Sequence, residues 1–209
     1  MLRAKRTSST FAFALIAVFG CAAASAQTDV AASIYGAFSG TTTGNGVQQS
    51  PSNSAGALFE LRHIANPILG FEATYSWNRN GQTYQCANGG CPVSVVPSGP
   101  LPPVQVPANA HEITADWIPS VHIANFRPFG VLGIGALLNQ PSSGTDTQSQ
   151  TKAVYVYGAG LDWGLLPHIG LRVQYRGNLY RAPDLTSLYS STNKFTQTAE
   201  PMVGVYFRL

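Results

Sequence analysis

Charged side chains recur at even spacing inside several otherwise apolar segments of this 209-residue chain. In HEITADW (111–117), Glu112 and Asp116 lie four positions apart, and in IGLRVQYRGNLY (169–180) the same spacing separates Arg172 and Arg176. Carboxylates and guanidinium groups placed together can transfer protons, line an ion path, or neutralise one another as buried ion pairs. We interpret nine such residues as one polar network, chiefly of buried ion pairs: Glu60, Arg62, Glu72, Glu112, Asp116, Asp162, Arg172, Arg176 and Glu200.

The segments that carry these charges alternate polar and apolar residues with a period of two. This is the period of a β-strand, whose successive side chains point to opposite faces. Helical periodicity is hard to find in the same regions. The pattern predicts eight strands, at residues 29–38, 55–65, 68–78, 110–118, 126–138, 152–163, 169–180 and 195–209.

The connections between these strands alternate strictly between long and short. Long polar segments follow the odd-numbered strands, at 39–54, 79–109, 139–151 and 181–194. Short ones follow the second, fourth and sixth strands, at 66–67, 119–125 and 164–168. All long loops therefore lie at one end of the sheet and all turns at the other, which is typical of bacterial outer-membrane barrels.

Alternation alone does not say which face is inside, because a soluble barrel buries its apolar face and a membrane barrel exposes it to lipid. Lysine is absent from the strand middles, where arginines and carboxylates are nearly balanced, and this favours a paired interior. Trp77, Trp117 and Trp163 share the apolar parity and stand at strand ends, where a membrane interface favours tryptophan. The sequence predicts an all-β fold, an eight-stranded antiparallel up-and-down transmembrane β-barrel; a soluble periplasmic binding barrel is the alternative.

The N-terminus has the layout of a secretory signal peptide. Arg3, Lys5 and Arg6 precede the apolar run 11–20, and a small-residue site permits cleavage after Ala26. We expect residues 1–26 to be the signal peptide and residues 27–209 the barrel domain; a retained anchor and lipidation at Cys21 are weaker alternatives. Without the signal, nine basic residues face nine acidic ones, so charge gives no indication of nucleic-acid binding.

Cys86 and Cys91 lie five positions apart within the longest loop. An even pair of cysteines in an exported chain predicts a disulfide, whereas a zinc site would need a second Cys or His pair nearby. The loop is rich in proline, and its short pieces 92–96 and 103–106 could extend the barrel as a hairpin.

Three further segments carry a resemblance to a known family: NFRPFGVLGIGALL (125–138), YVYGAGLDWGLLPHIGLRVQYR (155–176) and EPMVGVYFRL (200–209). With the strand pattern, they make the chain similar to small outer-membrane β-barrel proteins of the outer-membrane protein A, X and opacity-protein type. The resemblance implies contact with outer-membrane lipids and lipopolysaccharide. It also implies insertion by the outer-membrane assembly machinery, with Val205, Phe207 and Leu209 forming the C-terminal assembly signal.

We therefore predict a non-enzymatic outer-membrane protein with a structural role or a surface-interaction role, in which four external loops meet an extracellular ligand. A narrow channel for small solutes or ions is the alternative. A lipid A-modifying enzyme is a weaker one, because His63 and His111 face outward without a suitably spaced serine or an outward carboxylate. The glycine runs 130–138 and 157–164 lack the spacing of phosphate-binding loops, so we expect no cofactor and no metal.

Overall fold

A computed structural model describes residues 26–87, 102–144 and 146–209 of the chain. Eight long antiparallel strands close into a barrel in which the last strand pairs with the first. The barrel strands are β1 (Gln27–Ser39), β4 (Ser54–Ile64), β5 (Gly70–Arg79), β8 (Ala108–Trp117), β9 (Phe126–Pro141), β10 (Gln150–Gly164), β11 (Ile169–Arg181) and β12 (Phe195–Arg208). A second sheet contains β2 (Thr42–Gly44), β3 (Val47–Pro51), β6 (Gln82–Cys86) and β7 (Val104–Val106). Within the described ranges, no helix is long and apolar enough to cross a membrane.

Burial alternates residue by residue along the barrel strands. In β5 every second side chain from Gly70 to Asn78 is buried, and every second one from Phe71 to Arg79 is exposed. The exposed positions are mostly large and apolar, and Phe71 and Ile113 reach 58% and 64% exposure. The buried positions are mostly polar or charged. The barrel is thus apolar outside and polar inside, so the predicted fold class is confirmed and the soluble barrel is not.

The eighth barrel strand closes the sheet, as the sequence predicts. β12 pairs antiparallel with β1 from Asp29↔Arg208 to Ser39↔Thr198, and with β11 on its other side. The side chains predicted to face outward on this strand are exposed, and Arg208, on the opposite parity, is half-buried. All eight predicted strands are present, and the largest difference in their ends is at β9, which continues to Pro141.

The two ends of the barrel differ in how their strands are connected. Three short connections, 65–69, 118–125 and 165–168, lie at the end that also holds Gln27 and Leu209. One of them is closed by the Asn66 carboxamide, which accepts hydrogen bonds from the Ile68 and Leu69 amides at 2.9 Å each. Short turns face the periplasm in bacterial barrels, and we therefore call this the periplasmic end and the opposite one the external end.

At the external end, two of the four connections form further strands. β2 and β3 form a hairpin after β1, β6 and β7 form another after β5, and β3 pairs with β6 to join them. The first of these segments, 39–54, was predicted to be a loop. Of the two pieces of the second segment considered as a barrel extension, 103–106 belongs instead to this separate sheet. The other piece, 92–96, lies outside the described residues.

One local signal for this second sheet was present in the sequence. Asn45 and Gly46 both have positive φ, 51° and 74°, as the two central residues of a type I′ hairpin turn require. An Asn-Gly pair between short alternating runs predicts such a hairpin. The pairing of β3 with β6 had no comparable signal, because it joins two segments about 35 residues apart.

The closing seam leads to a first test. Deleting residues 207–209 removes the pairing of Phe207 with both Val30 and Ile169, and leaves backbone groups at the seam unpaired in lipid. We expect the truncated protein to lose the folded, heat-modifiable band on gels of outer-membrane fractions. Val203→Ala is the matched control, because it shortens an outward side chain of the same strand and leaves the backbone pairing with Ile34 and Val173 in place. A truncated protein that still gives the folded band in the outer membrane would contradict this role of the seam.

Candidate functional site in the barrel interior

The inward positions of the barrel strands bring the charged residues together. Each of the nine residues of the predicted network has a buried side chain. Strand register also places opposite charges side by side, with Arg62 across from Glu72 and Asp162 across from Arg172. Directly opposed charges of opposite sign stabilise a sheet pairing.

Arg172 is the centre of a cluster at the periplasmic half of the interior. Its Nε lies 2.7 Å from Asp162 Oδ1, its Nη2 lies 2.9 Å from Asp29 Oδ1, and its Nη1 lies 3.0 Å from Glu60 Oε2. These carboxylates come from β10, β1 and β4, so one guanidinium group joins three strands to β11. Its side chain is fully buried, which makes every one of these contacts a desolvated, charge-assisted hydrogen bond.

Two members of this cluster, Asp29 and Arg127, were missed by sequence analysis. Arg127 Nη2 lies 2.9 Å from Asp29 Oδ2 and 2.7 Å from Asp162 Oδ2. Both residues stand near the ends of their strands, where strand bounds read from sequence are least certain. Arg127 shares its parity with the apolar Phe129 and Val131, so the repeated charges that mark the inward face of the other strands are missing here.

Phe129 lies inside the barrel because it packs against the arginines. The Arg62 guanidinium lies over its ring at 4.0 Å from the centroid, and that of Arg172 at 5.5 Å. A cation over an aromatic face is attracted by the ring quadrupole. Arg62 also donates to Glu72 at 2.6 Å, so the ring and the carboxylate occupy different parts of the same guanidinium. Phe129 is therefore an apolar residue in a polar interior, and its contacts with the two arginines account for its position.

Arg176 is the centre of a second cluster, nearer the external end. Its Nη1 lies 3.0 Å from Asp116 Oδ2, and its Nη2 lies 3.6 Å from Glu112 Oε1. A longer contact of 3.8 Å to Glu72 connects it to the periplasmic cluster. Glu200 is its cross-strand neighbour on β12, yet among the described basic side chains none lies within ion-pair distance of Glu200.

Inward glycines on β9 and β10 make room for these side chains. A Cβ at Gly133 would overlap the Asp116 carboxylate, and one at Gly160 would overlap the Phe129 ring. A Cβ at Gly158 would collide with the backbone of Tyr175. The interior of an eight-stranded barrel is only just wide enough for side chains, so glycine on one wall permits arginine on another.

The external end is closed by a cap, which we define as strands β2, β3, β6 and β7 together with residues 182–192. The inner face of its sheet packs in an apolar cluster with the 182–192 segment: Val47, Tyr84, Val106, Ala108, Leu185 and Tyr189. Tyr84 Oη donates to the Pro183 carbonyl at 2.9 Å and accepts from the Leu185 amide at 3.0 Å. Burial raises the pKa of Tyr84 above its ordinary value, which keeps the phenol in its donating form.

A chain of amides connects the cap to the barrel interior. Gln49 Nε2 donates to Gln82 Oε1 at 3.0 Å, Gln82 Nε2 donates to Asn80 Oδ1 at 2.8 Å, and Asn80 Nδ2 donates to Asn139 Oδ1 at 2.8 Å. Asn139 faces inward near the external end of β9 and is completely buried. The cap therefore covers the external mouth of the barrel.

The two outward histidines have local partners. His63 Nδ1 lies 2.8 Å from the Thr28 hydroxyl, and His111 Nδ1 lies 2.9 Å from the Tyr75 hydroxyl, with its ring stacked on that of Tyr75. In the described part of the chain, neither ring lies within ion-pair distance of a carboxylate. Each histidine thus has a hydroxyl contact on the outer wall of the barrel, His63 with Thr28 and His111 with Tyr75.

The remaining predicted residues take the following positions. Trp117 and Trp163 lie near the periplasmic end and Trp77 near the external end; all three are partly exposed on the outer wall. Trp117 Nε1 donates to the Ile68 carbonyl in the adjacent turn at 2.6 Å. Cys86 ends β6, but its predicted partner Cys91 lies outside the described residues, so the disulfide stays a prediction. The C-terminal residues Val205, Phe207 and Leu209 face outward.

Comparisons with known proteins identify the fold. The family model described as the outer membrane protein beta-barrel domain matches residues 11–206. The structure is similar to that of Neisserial surface protein A (TM-score 0.60, 15% identity, covering 88% of this chain and 99% of that one). It is also similar to that of the outer membrane protein OprG from Pseudomonas aeruginosa (TM-score 0.56, 10% identity, covering 88% and 96%). At these identities the likeness concerns the fold alone. No curated protein matches the sequence.

The periplasmic cluster predicts a large loss of stability on removing its central cation. Arg172→Ala removes the ion-pair partner of Glu60 and one of the partners of Asp29 and Asp162, and removing one side of a buried ion pair costs about 3–5 kcal/mol. We expect a lower midpoint temperature for loss of the folded band in detergent, and a similar decrease for Arg176→Ala. Arg181→Ala is the control, because this exposed arginine lies over Phe195 on the outer wall. Unchanged midpoints for both interior variants would contradict the network.

The inward glycines of β9 predict that an added side chain destabilises the barrel, and an outward glycine of the same strand provides the control. Gly133→Ala places a methyl group against the Asp116 carboxylate and within 2.8 Å of the Ala115 carbonyl oxygen. We expect it to destabilise the barrel by about 1–3 kcal/mol, the usual cost of overpacking, measured by urea titration in detergent. Gly130→Ala should be tolerated, since the nearest atom to its new Cβ is Pro119 Cγ at 3.4 Å. Equal stability of the two variants would exclude tight packing at Gly133.

Proposed function

The chain belongs to the outer membrane protein β-barrel domain family, and we propose that within this family it is a non-enzymatic, non-conducting barrel that anchors a rigid external cap. Its place is the outer membrane of a Gram-negative bacterium. The apolar belt of the barrel faces the membrane lipids. The role we assign to the cap is interaction with the surroundings of the cell.

The observation that carries this proposal is the filled interior. Arg62, Arg172 and Arg176 have no exposed side-chain surface, and their contacts reach carboxylates on five of the eight barrel strands. An ion that entered would have to displace a desolvated guanidinium from its carboxylates, at a cost of several kcal/mol per broken pair. The closed external mouth adds a second barrier in series, because Asn80 and Asn139 are buried beneath the cap.

The outer face of the cap supports a role in surface interaction. On β3 and β6, the side chains that point away from the barrel are uncharged. Two of them form a hydrogen bond, in which Gln85 Nε2 donates to Gln48 Oε1 at 2.5 Å. Pairing between the two hairpins holds this face in a fixed geometry, unlike separate flexible loops. A preordered surface loses less conformational entropy when a partner binds.

Export and assembly complete the proposal. We assign residues 1–26 to a cleaved signal peptide; β1 begins at Gln27, the first residue after that cleavage site. We assign Val205, Phe207 and Leu209 to recognition by the assembly machinery, supported by their outward orientation on the strand that closes the sheet.

Planar-bilayer recording tests the proposal against the channel alternative. Wild-type protein reconstituted at low density should give no stable single-channel steps. A variant that lacks the first hairpin, residues 42–51, should also be silent, because the periplasmic cluster of Arg172 alone blocks the bore. Recordings of an open porin in the same lipid control for reconstitution. Reproducible conductance steps from the wild-type protein would overturn the non-conducting role.

A further inference from the structure

The external half of the interior has more negative charge than its arginine can balance. Glu112, Asp116 and Glu200 are all buried there, and Arg176 is the basic side chain that contacts two of them. An uncompensated carboxylate inside a protein costs several kcal/mol. The periplasmic half is closer to balance, with four carboxylates around Arg62, Arg127 and Arg172.

A small cavity lies beside two of these carboxylates, in the external half of the interior. Its volume is about 10 Å³, and it is lined by Glu112, Glu200, Asn178, Ser76, Tyr180 and Thr198 among other residues. A space of this size holds one water-sized particle. A hydrated ion or an organic ligand is too large for it, but a single dehydrated ion fits.

Two oxygens of the lining residues are without hydrogen bonds. Asn178 is 1% exposed, and its Nδ2 donates to Glu112 Oε2 at 2.9 Å. Within the described ranges, neither Asn178 Oδ1 nor Glu112 Oε1 has a hydrogen-bond partner, and Glu112 Oε1 has only the longer ion-pair contact of 3.6 Å with Arg176 Nη2. A buried amide oxygen and a buried carboxylate oxygen at one cavity are acceptors that a cation satisfies without supplying a proton.

We propose that this cavity binds one hard divalent cation of the Ca²⁺ class, held by the carboxylates of Glu112 and Glu200 and by the side-chain oxygen Oδ1 of Asn178. Ca²⁺ prefers carboxylate and amide oxygens, and two positive charges balance the excess of this half of the interior. Mg²⁺ fits less well, since it retains its water ligands and the cavity has no room for them. Among the described residues, no group of three or more His, Cys, Asp or Glu side chains forms a metal site, so this one depends on the Asn178 amide oxygen in addition to two carboxylates.

Calcium titration of the detergent-refolded protein tests the site. After removal of metals with EDTA, we expect saturable Ca²⁺ binding at one equivalent by calorimetry. The folded-band midpoint should rise by about 3–5 °C at ten times the dissociation constant. Glu112→Gln and Glu200→Gln should each reduce both responses, and the double variant should abolish them. Asp146→Asn, which removes an exposed carboxylate of an external connection, is the matched control and should respond like the wild type.

Three results would overturn the proposal. One is the absence of saturable Ca²⁺ binding by the wild type. Another is undiminished binding by the double variant. The third is an equal rise in midpoint with Mg²⁺ or with NaCl at matched ionic strength, which would report only charge screening. If the wild type shows no Ca²⁺ binding and the glutamine variants are more stable than the wild type, the carboxyl groups hold protons instead of a cation.

Discussion

The structure depends on one constraint, that each guanidinium group inside the closed sheet must have carboxylates within reach. The register of the strands satisfies this constraint, because it places arginines and carboxylates on neighbouring strands side by side. A slip of one residue would move a strand's charges to the lipid face, at about 2–4 kcal/mol for each arginine near the membrane centre. A slip of two would keep them inside but place Glu72 opposite Glu60 in place of Arg62. Since a buried ion pair is weak as a source of net stability, its contribution here is to the choice of register.

The same constraint explains why glycines face inward on β9 and β10. A guanidinium such as that of Arg176, together with the carboxylates around it, occupies a large part of a narrow bore. The opposite wall must therefore supply almost no volume, and Gly133 and Gly158 do so against Asp116 and the β11 backbone. The large charged side chains on one set of strands fit inside the barrel because the facing strands carry glycine.

The barrel was predictable from the sequence because alternation is a local property. Each strand shows its own parity, and the scarcity of lysine with the placement of Trp77, Trp117 and Trp163 decided which parity faces lipid. The candidate site was only partly predictable. Asp29 and Arg127 stand at strand ends, and the apolar Phe129 disguises the parity of Arg127 because its ring packs under a cation. The cap was missed for a different reason, since the pairing of β3 with β6 is a tertiary contact between two polar segments with little periodicity of their own.

The cap and the charge of the interior are physically coupled. If the external mouth were open, water would solvate Glu112 and Glu200, and the excess negative charge would cost little. The cap buries Asn80 and Asn139 above them, and this exclusion of water raises the cost of the same charges. Closing the mouth therefore requires compensation below it, by a cation or a proton, and such compensation in turn favours the closed cap. The closed state of the cap is in this way linked to the binding of a cation or a proton by Glu112 and Glu200, although the cap sheet and the barrel sheet are separate.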